Sequence, residues 1–152
     1  MSSNLTTSPK PFEHIGWDLT QAARAWKSGF VAAMVERGHN WFGEARGNLV
    51  HLIGPEGTKQ QALVSKSGLS KQAVQQLLDE LERDGIIKRE IDGQDARGRR
   101  ILFTAKGQQA LRHAQEIKVM IEADYMKLIG KDGLQQLKSA LDKIVSASQV
   151  TA

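Results

Sequence analysis

The stretch from Ser70 to Arg83, SKQAVQQLLDELER, divides its side chains between two chemistries. Val74, Leu77, Leu78 and Leu81 recur at i, i+3, i+4 and i+7, which predicts an amphipathic helix with one face in a core. The opposite face opens with Ser70, Lys71, Gln72, Gln75 and Gln76. Glutamine amides both donate and accept hydrogen bonds. Such a face suits the edges of nucleobases, where glutamine matches the N6 and N7 atoms of adenine. Glutamine is also a good former of ordinary solvated helix, so the glutamines alone leave both readings open.

A second concentration of chemistry follows. Within residues 86 to 112, Lys88, Arg89, Arg97, Arg99, Arg100, Lys106 and Arg112 face only Glu90, Asp92 and Asp95, which accounts for the whole net charge of +4. A positive field confined to one element is the pattern an anionic polymer requires. A solvated charged loop is the plainer alternative. The arginines sit at the tip DGQDARGRR, between the short β-branched run IIKREI and the returning Ile101, Leu102 and Phe103, which predicts two strands around a hairpin.

These residues need a frame, and the rest of the chain predicts one that is mainly α-helical with a small β-hairpin (an α+β protein). Residues 1 to 11 are polar with two prolines, and residues 1 to 12 are expected to form a mobile arm. A broad apolar stripe from Leu19 to Met34 predicts a helix over 18–36, ended by Gly38. A second helix is predicted from Trp41 or Phe42 to about Ile53, stopped by Gly54, Pro55 and Gly57. Thr58 and Gln61 suggest a capping box for the helix carrying Leu63 and Val64. Ser67, Gly68 and Leu69 make a turn, Ser70 caps the next helix, and Gly85 closes it. Thr104 caps a long helix to about Ile129. A last helix over 132–145 carries Leu134, Leu137, Leu141 and Ile144.

The finer match lies in the hairpin and the turn. DARGRRILFTAKG supplies an aspartate, one residue, an arginine, a basic and β-rich run, and then a threonine opening a helix: Asp95, Arg97 and Thr104. Gly68 stands at the turn of a helix-turn-helix, with Val74 and Leu77 at its buried positions. With the element order, these residues make the chain similar to the MarR family of bacterial transcription regulators. Phe103 departs from the commoner leucine, and Val64 from the small alanine usual at the helix crossing.

The resemblance implies a winged helix-turn-helix lobe over 57–104 and dimerisation helices over 13–56 and 105–152, within one domain spanning 13–152. It implies a homodimer on a pseudo-palindromic operator in double-stranded DNA, acting as a repressor released by a small effector. The recognition helix then offers Ser70, Lys71, Gln72, Gln75 and Gln76 to the major groove. At the wing, Arg97, held by Asp95, suits a narrow minor groove; Arg99, Arg100 and Lys88 suit phosphates. An exposed Asp95–Arg97 salt bridge of little consequence is the alternative. In the resembled family, small aromatic or anionic effectors bind between the dimerisation helices and the DNA-binding lobe, which draws attention to Trp26, Trp41 and Phe42. Core packing explains those rings without any ligand.

Other classes fit less well. An enzyme needs a convergent catalytic set, whereas His14, His39, His51 and His113 lie in different segments. No metal site or cofactor is expected, a site on His39, Glu44 and His51 being the only one weighed. With no cysteine, disulfides and thiol chemistry are excluded. The apolar runs fall short of a membrane span, and the expected compartment is the cytoplasm. The chief rival is a winged-helix module that docks its basic wing on an acidic protein.

Overall fold

Helix α4 (Lys71–Arg83) is built as its pattern predicts. The Ser70 hydroxyl accepts a hydrogen bond from the Ala73 N–H at 3.1 Å, and Val74, Leu78 and Leu81 are fully buried, whereas Leu77, expected at a buried position, is only partly buried against the core. Capping of this kind satisfies one of the donors that the first helical turn leaves unpaired. The helix ends at Asp84, and Gly85 (φ 74°) takes the left-handed conformation that turns the chain into a strand. Before it, α3 (Gln60–Ser67) buries Leu63 and ends at Gly68, whose φ is 69°. Ser67 fastens this turn, donating to the Val64 carbonyl and accepting from the Leu69 N–H.

The computed structural model describes residues 13–150, so the arm predicted over residues 1–12 lies outside the described residues. Around the helix-turn-helix the wing has three strands, one more than expected. β1 (Thr58–Lys59) pairs antiparallel with β3 (Arg99–Phe103), which pairs on its other edge with β2 (Ile87–Ile91). This overturns the capping box. Thr58 is a strand residue opposite Ile101, and its hydroxyl accepts from the Gly54 N–H at 2.9 Å. Lys59 occupies the cap position of α3 without a side-chain cap. A β-branched residue beside an open strand edge gains more from ladder pairing than from one capping bond.

The remaining helices form the frame. α1 (Ile15–Glu36) starts three residues earlier than predicted, because His14 caps it by accepting from the Trp17 N–H. α2 (Ala45–Val50) is shorter than its apolar spacing suggests. Trp41 and Phe42 are buried in the turn before it, while Leu52 and Ile53 follow in tight i→i+3 turns. α5 (Ala105–Val150) is opened by Thr104, which accepts from the Gly107 N–H and donates to the Gly85 and Ile86 carbonyls. It breaks at Gly130 (φ 78°, ψ 166°). Lys138 pairs with Glu122 at 3.2 Å across sixteen residues, a separation of about 24 Å in a straight helix. The segment after Gly130 therefore folds back along the segment before it.

One core joins these parts, running from Phe30 and Met34 of α1 through Leu49, Leu63, Leu78 and Ile101 to Ala110, Ala114 and Ile117 of α5. Ile15, Trp17 and Leu19 of α1 stay exposed, as do Leu137, Leu141, Ile144 and Val145 after the break. Gly107 sets how closely α5 approaches the wing: a Cβ there would lie 2.1 Å from the Ile86 carbonyl oxygen. That oxygen already accepts bonds from the Thr104 N–H and hydroxyl. Gly107→Ala is therefore expected to lower the free energy of unfolding by about 1–3 kcal/mol or more, as overpacking does. Urea denaturation followed by circular dichroism measures it, and an unchanged midpoint would refute the close approach.

Candidate nucleic-acid interface

Strand alternation decides which wing side chains face α4. Ile87, Arg89 and Ile91 lie on one face of β2, opposite Phe103, Ile101 and Arg99 of β3. Lys88, Glu90, Arg100 and Leu102 share the other face. The first face looks toward α4. Between them runs a groove of about 780 Å³, with Gln60 and Gln61 of α3 and Lys71 and Gln75 of α4 on one side and Arg97 and Arg99 on the other. A shallower depression continues over Lys71, Gln72, Gln75 and Gln76.

The residues singled out in the sequence thus separate into two sets. Lys71, Gln72, Gln75 and Gln76 are exposed on one surface with Arg97 and Arg99 close by, and Ser70 begins that surface as the helix cap. Lys71, Arg97 and Arg99 make no ion pair among the described residues. Lys88 and Arg100 lie on the far face. Lys88 pairs with Glu90 at 3.0 Å, and the Arg100 guanidinium donates to the Glu56 carbonyl at 2.8 Å. Arg100 therefore ties the loop before β1 to the wing.

Asp95 holds Arg97, though through the backbone. Its Oδ1 accepts from the Arg97 N–H at 3.0 Å, and its carbonyl accepts from the Gly98 N–H at 2.9 Å. The tip is fixed and the Arg97 guanidinium stays exposed and unpaired by Asp95, so the hairpin salt bridge weighed from sequence does not form. At the wing's base, Asp92 is only 6% exposed. One oxygen accepts from the Gln94 N–H, and the other lies 3.3 Å from Lys59 Nζ, an ion pair without good hydrogen-bond direction. The Gln94 N–H, more than Lys59 and Arg100, holds the Asp92 carboxyl below its ordinary pKa against the opposing effect of burial.

Sequence reasoning counted Arg89 only within the basic excess of residues 86 to 112 and missed its role. Its N–H and guanidinium bind Glu82, with contacts of 3.1 Å to both carboxylate oxygens, and the guanidinium also reaches Asp79. The signal was present: Arg89 alternates with Ile87 and Ile91, which places it on the core side facing the acids of DELER. Trp26, Trp41 and Phe42 are packed rather than open. Trp26 stacks on Phe30 at 5.2 Å, Trp41 on Phe42 at 4.2 Å, and Trp41 and Phe42 are buried. The fold also joins two of the scattered histidines, His39 and His113. No helix among the described residues is long and apolar enough to cross a membrane.

Comparison with known proteins gives this geometry a context. Residues 48–98 match the model of the MarR family. The chain superposes on the transcriptional repressor CouR bound to a 23-mer DNA duplex with a TM-score of 0.69, at 24% identity over 88% of this chain and 93% of that one. It is similar to the transcriptional regulator Tm0710 from Thermotoga maritima (TM-score 0.65, 18% identity, 88% and 93% covered). A mutant of S. aureus MepR bound to an oligodeoxyribonucleotide gives 0.59, at 22% identity over 88% and 97%. No curated protein matches the sequence. These structures show the fold to be the winged helix-turn-helix of MarR regulators.

The Arg89 clamp has a measurable signature. Its guanidinium is 18% exposed, whereas Asp79 and Glu82 are 50% and 42% exposed. Solvent screening then limits the loss in Arg89→Met to about 1 kcal/mol. The Arg89 bond holds Glu82 below its ordinary pKa of 4.5, with burial working against it. A depressed carboxylate pKa stabilises the fold above the unfolded value and loses that contribution as pH falls through the folded one. The stability gap between wild type and Arg89→Met should therefore close as pH falls below 4.5. A gap that stays constant from pH 7 to pH 3 would place the effect elsewhere.

Proposed function

We propose that this MarR-type winged-helix chain is a sequence-specific regulator of transcription that binds double-stranded DNA as a homodimer. The observation that carries the reading is the shared groove. Lys71, Gln72, Gln75 and Gln76 open the recognition helix beside Arg97 and Arg99, with no acidic partner for the three cations among the described residues. A recognition helix reads bases with its N-terminal residues, glutamine amides pair with adenine edges, and an exposed wing arginine suits the negative potential of a narrow minor groove. Arg99 and Lys71 contribute charge at phosphates.

The homodimer is supported by the exposed apolar side chains of α1 and of the segment after Gly130, which a second copy would cover. A two-fold axis then sets two recognition helices about 34 to 36 Å apart, on an inverted repeat. Repression, in keeping with the repressor CouR among its structural relatives, and release by a small aromatic or anionic effector belong to the same proposal. Since Trp41 and Phe42 are buried, an effector at those rings has to open the packing around them. Such a protein works in the cytoplasm with its operator.

Selection of duplexes from a random pool by the purified protein, followed by sequencing, tests the assignment. Affinity for a selected duplex should fall linearly on a log–log plot with salt, by about 0.9 per neutralised phosphate; a flat response would falsify the charge reading. Arg97→Ala should weaken binding, and Gln72→Ala or Gln75→Ala should change the ranking of duplexes by about 1–3 kcal/mol per lost bidentate contact. Unchanged ranking would remove the glutamines from base recognition.

Truncation before Gly130 tests the dimer separately. It is expected to give an insoluble chain, or a monomer with weak duplex affinity. A truncated protein that sediments as a dimer and binds at full strength would contradict the arrangement.

A further inference from the structure

His39 Nε2 and His113 Nδ1 lie 2.9 Å apart. They join the turn after α1 to the N-terminal part of α5, two segments the mechanism of DNA reading does not otherwise use. His39 is 7% exposed, edge-on to Trp41 and Phe42. The charged groups around it are Arg37 at the end of α1 and Lys106 on α5. Arg46 and Asp84 line the polar cavity that His39 and Lys106 share. His113 lies near Glu116, which pairs with Arg37 and also feels Arg112.

We propose that the His39–His113 contact is a proton-operated latch between the α1–α2 turn and α5, closed at neutral pH and opened by acid, and that opening it weakens duplex binding. The second half rests on the DNA-binding reading above; the first does not. In the neutral pair one ring N–H donates to the lone pair of the other ring. A single added proton, taken at an outer nitrogen, leaves that bond in place. A second puts hydrogens on both facing nitrogens, and two cationic rings beside Arg37 and Lys106 then repel. Burial, followed by His113, Lys106 and Arg37, lowers the pKa of His39 from 6.5. A buried neutral histidine of this sort supports the fold above its unfolded pKa and loses that support as pH falls from there toward its folded one.

The latch has a route to the recognition helix. The turn it holds seats Trp41 and Phe42 in the core, and the Phe42 backbone packs directly on Gly47 of α2. Arg46 of α2 then pairs with Asp84 at 2.6 Å and Glu80 at 3.6 Å, at the end of α4. Release of the turn removes the anchor that sets α2, and through it α4, against α5.

Two measurements test the proposal. In the free protein labelled with 15N-histidine, His39 should titrate below 6.5, with a change in tryptophan emission in the same pH range. A His39 ring that titrates at or above 6.5, with unchanged emission, would overturn the latch. With a selected duplex at fixed ionic strength, affinity should fall by up to about tenfold per pH unit below about 6.5. His113→Gln should abolish that dependence. His51→Gln should keep it, although burial and Lys118 also lower the pKa of His51. A wild-type affinity that ignores pH, or the same slope in His113→Gln, refutes the coupling to DNA. Absence of duplex binding at every pH would instead remove the DNA reading, with the free-protein titration still deciding the latch.

Discussion

The angle between recognition helix and wing depends on one guanidinium. Arg89 enters from the middle of β2 and meets Glu82 and Asp79 on the outer turns of α4. A planar cation with several donors fixes direction as well as distance, so the strand cannot slide along the helix without losing more than one bond. The net energy is modest because the carboxylates are half in water. Its value lies in geometry: the groove over Lys71 and Gln75 has a defined width only while these elements keep their spacing. Arg100 on the loop carbonyls and Lys59 at Asp92 brace the other side of the same sheet.

This bracing changes the meaning of the basic cluster. Seven cations stand near the hairpin in sequence, yet Arg89, Arg100, Lys88 and Lys106 are held by Glu82, backbone carbonyls, Glu90 and the Asp84 carbonyl. Arg97 and Arg99 remain directed to the groove. A smaller set of outward charges limits non-specific attraction to phosphates, and it gives the neutral amides of Gln72, Gln75 and Gln76 a larger share of the contact surface.

Much of this was legible before any coordinates. α4, its serine cap, the glycine turns at 68 and 85, both long wing strands and the break near Gly130 follow from periodicity and from residues with narrow conformational roles. What escaped had non-local causes. Thr58 has the makings of a cap and becomes a strand because β3, forty residues later, offers it an edge. The end of α2 was masked because its apolar spacing continues into turns on both sides. His39 and His113 are 74 positions apart, and only the packing of α1 against α5 makes them neighbours. Lys88, Arg99 and Arg100 look equivalent in composition, and strand parity alone separates them.

The two-residue strand β1 runs straight into α3 with no intervening linker. Because Thr58 and Lys59 are hydrogen-bonded to the central strand of the wing, the helix-turn-helix cannot pivot without carrying the sheet along. The lobe is then a single solid, with its covalent connections to the rest of the chain at the Gly54–Gly57 loop and at Thr104. In the proposed homodimer, two such solids have few independent coordinates, chiefly the distance and tilt between them. On the proposed DNA-binding reading, tolerance to operator spacing is set by those two joints, while the letters read within each half-site stay the same however the halves are moved.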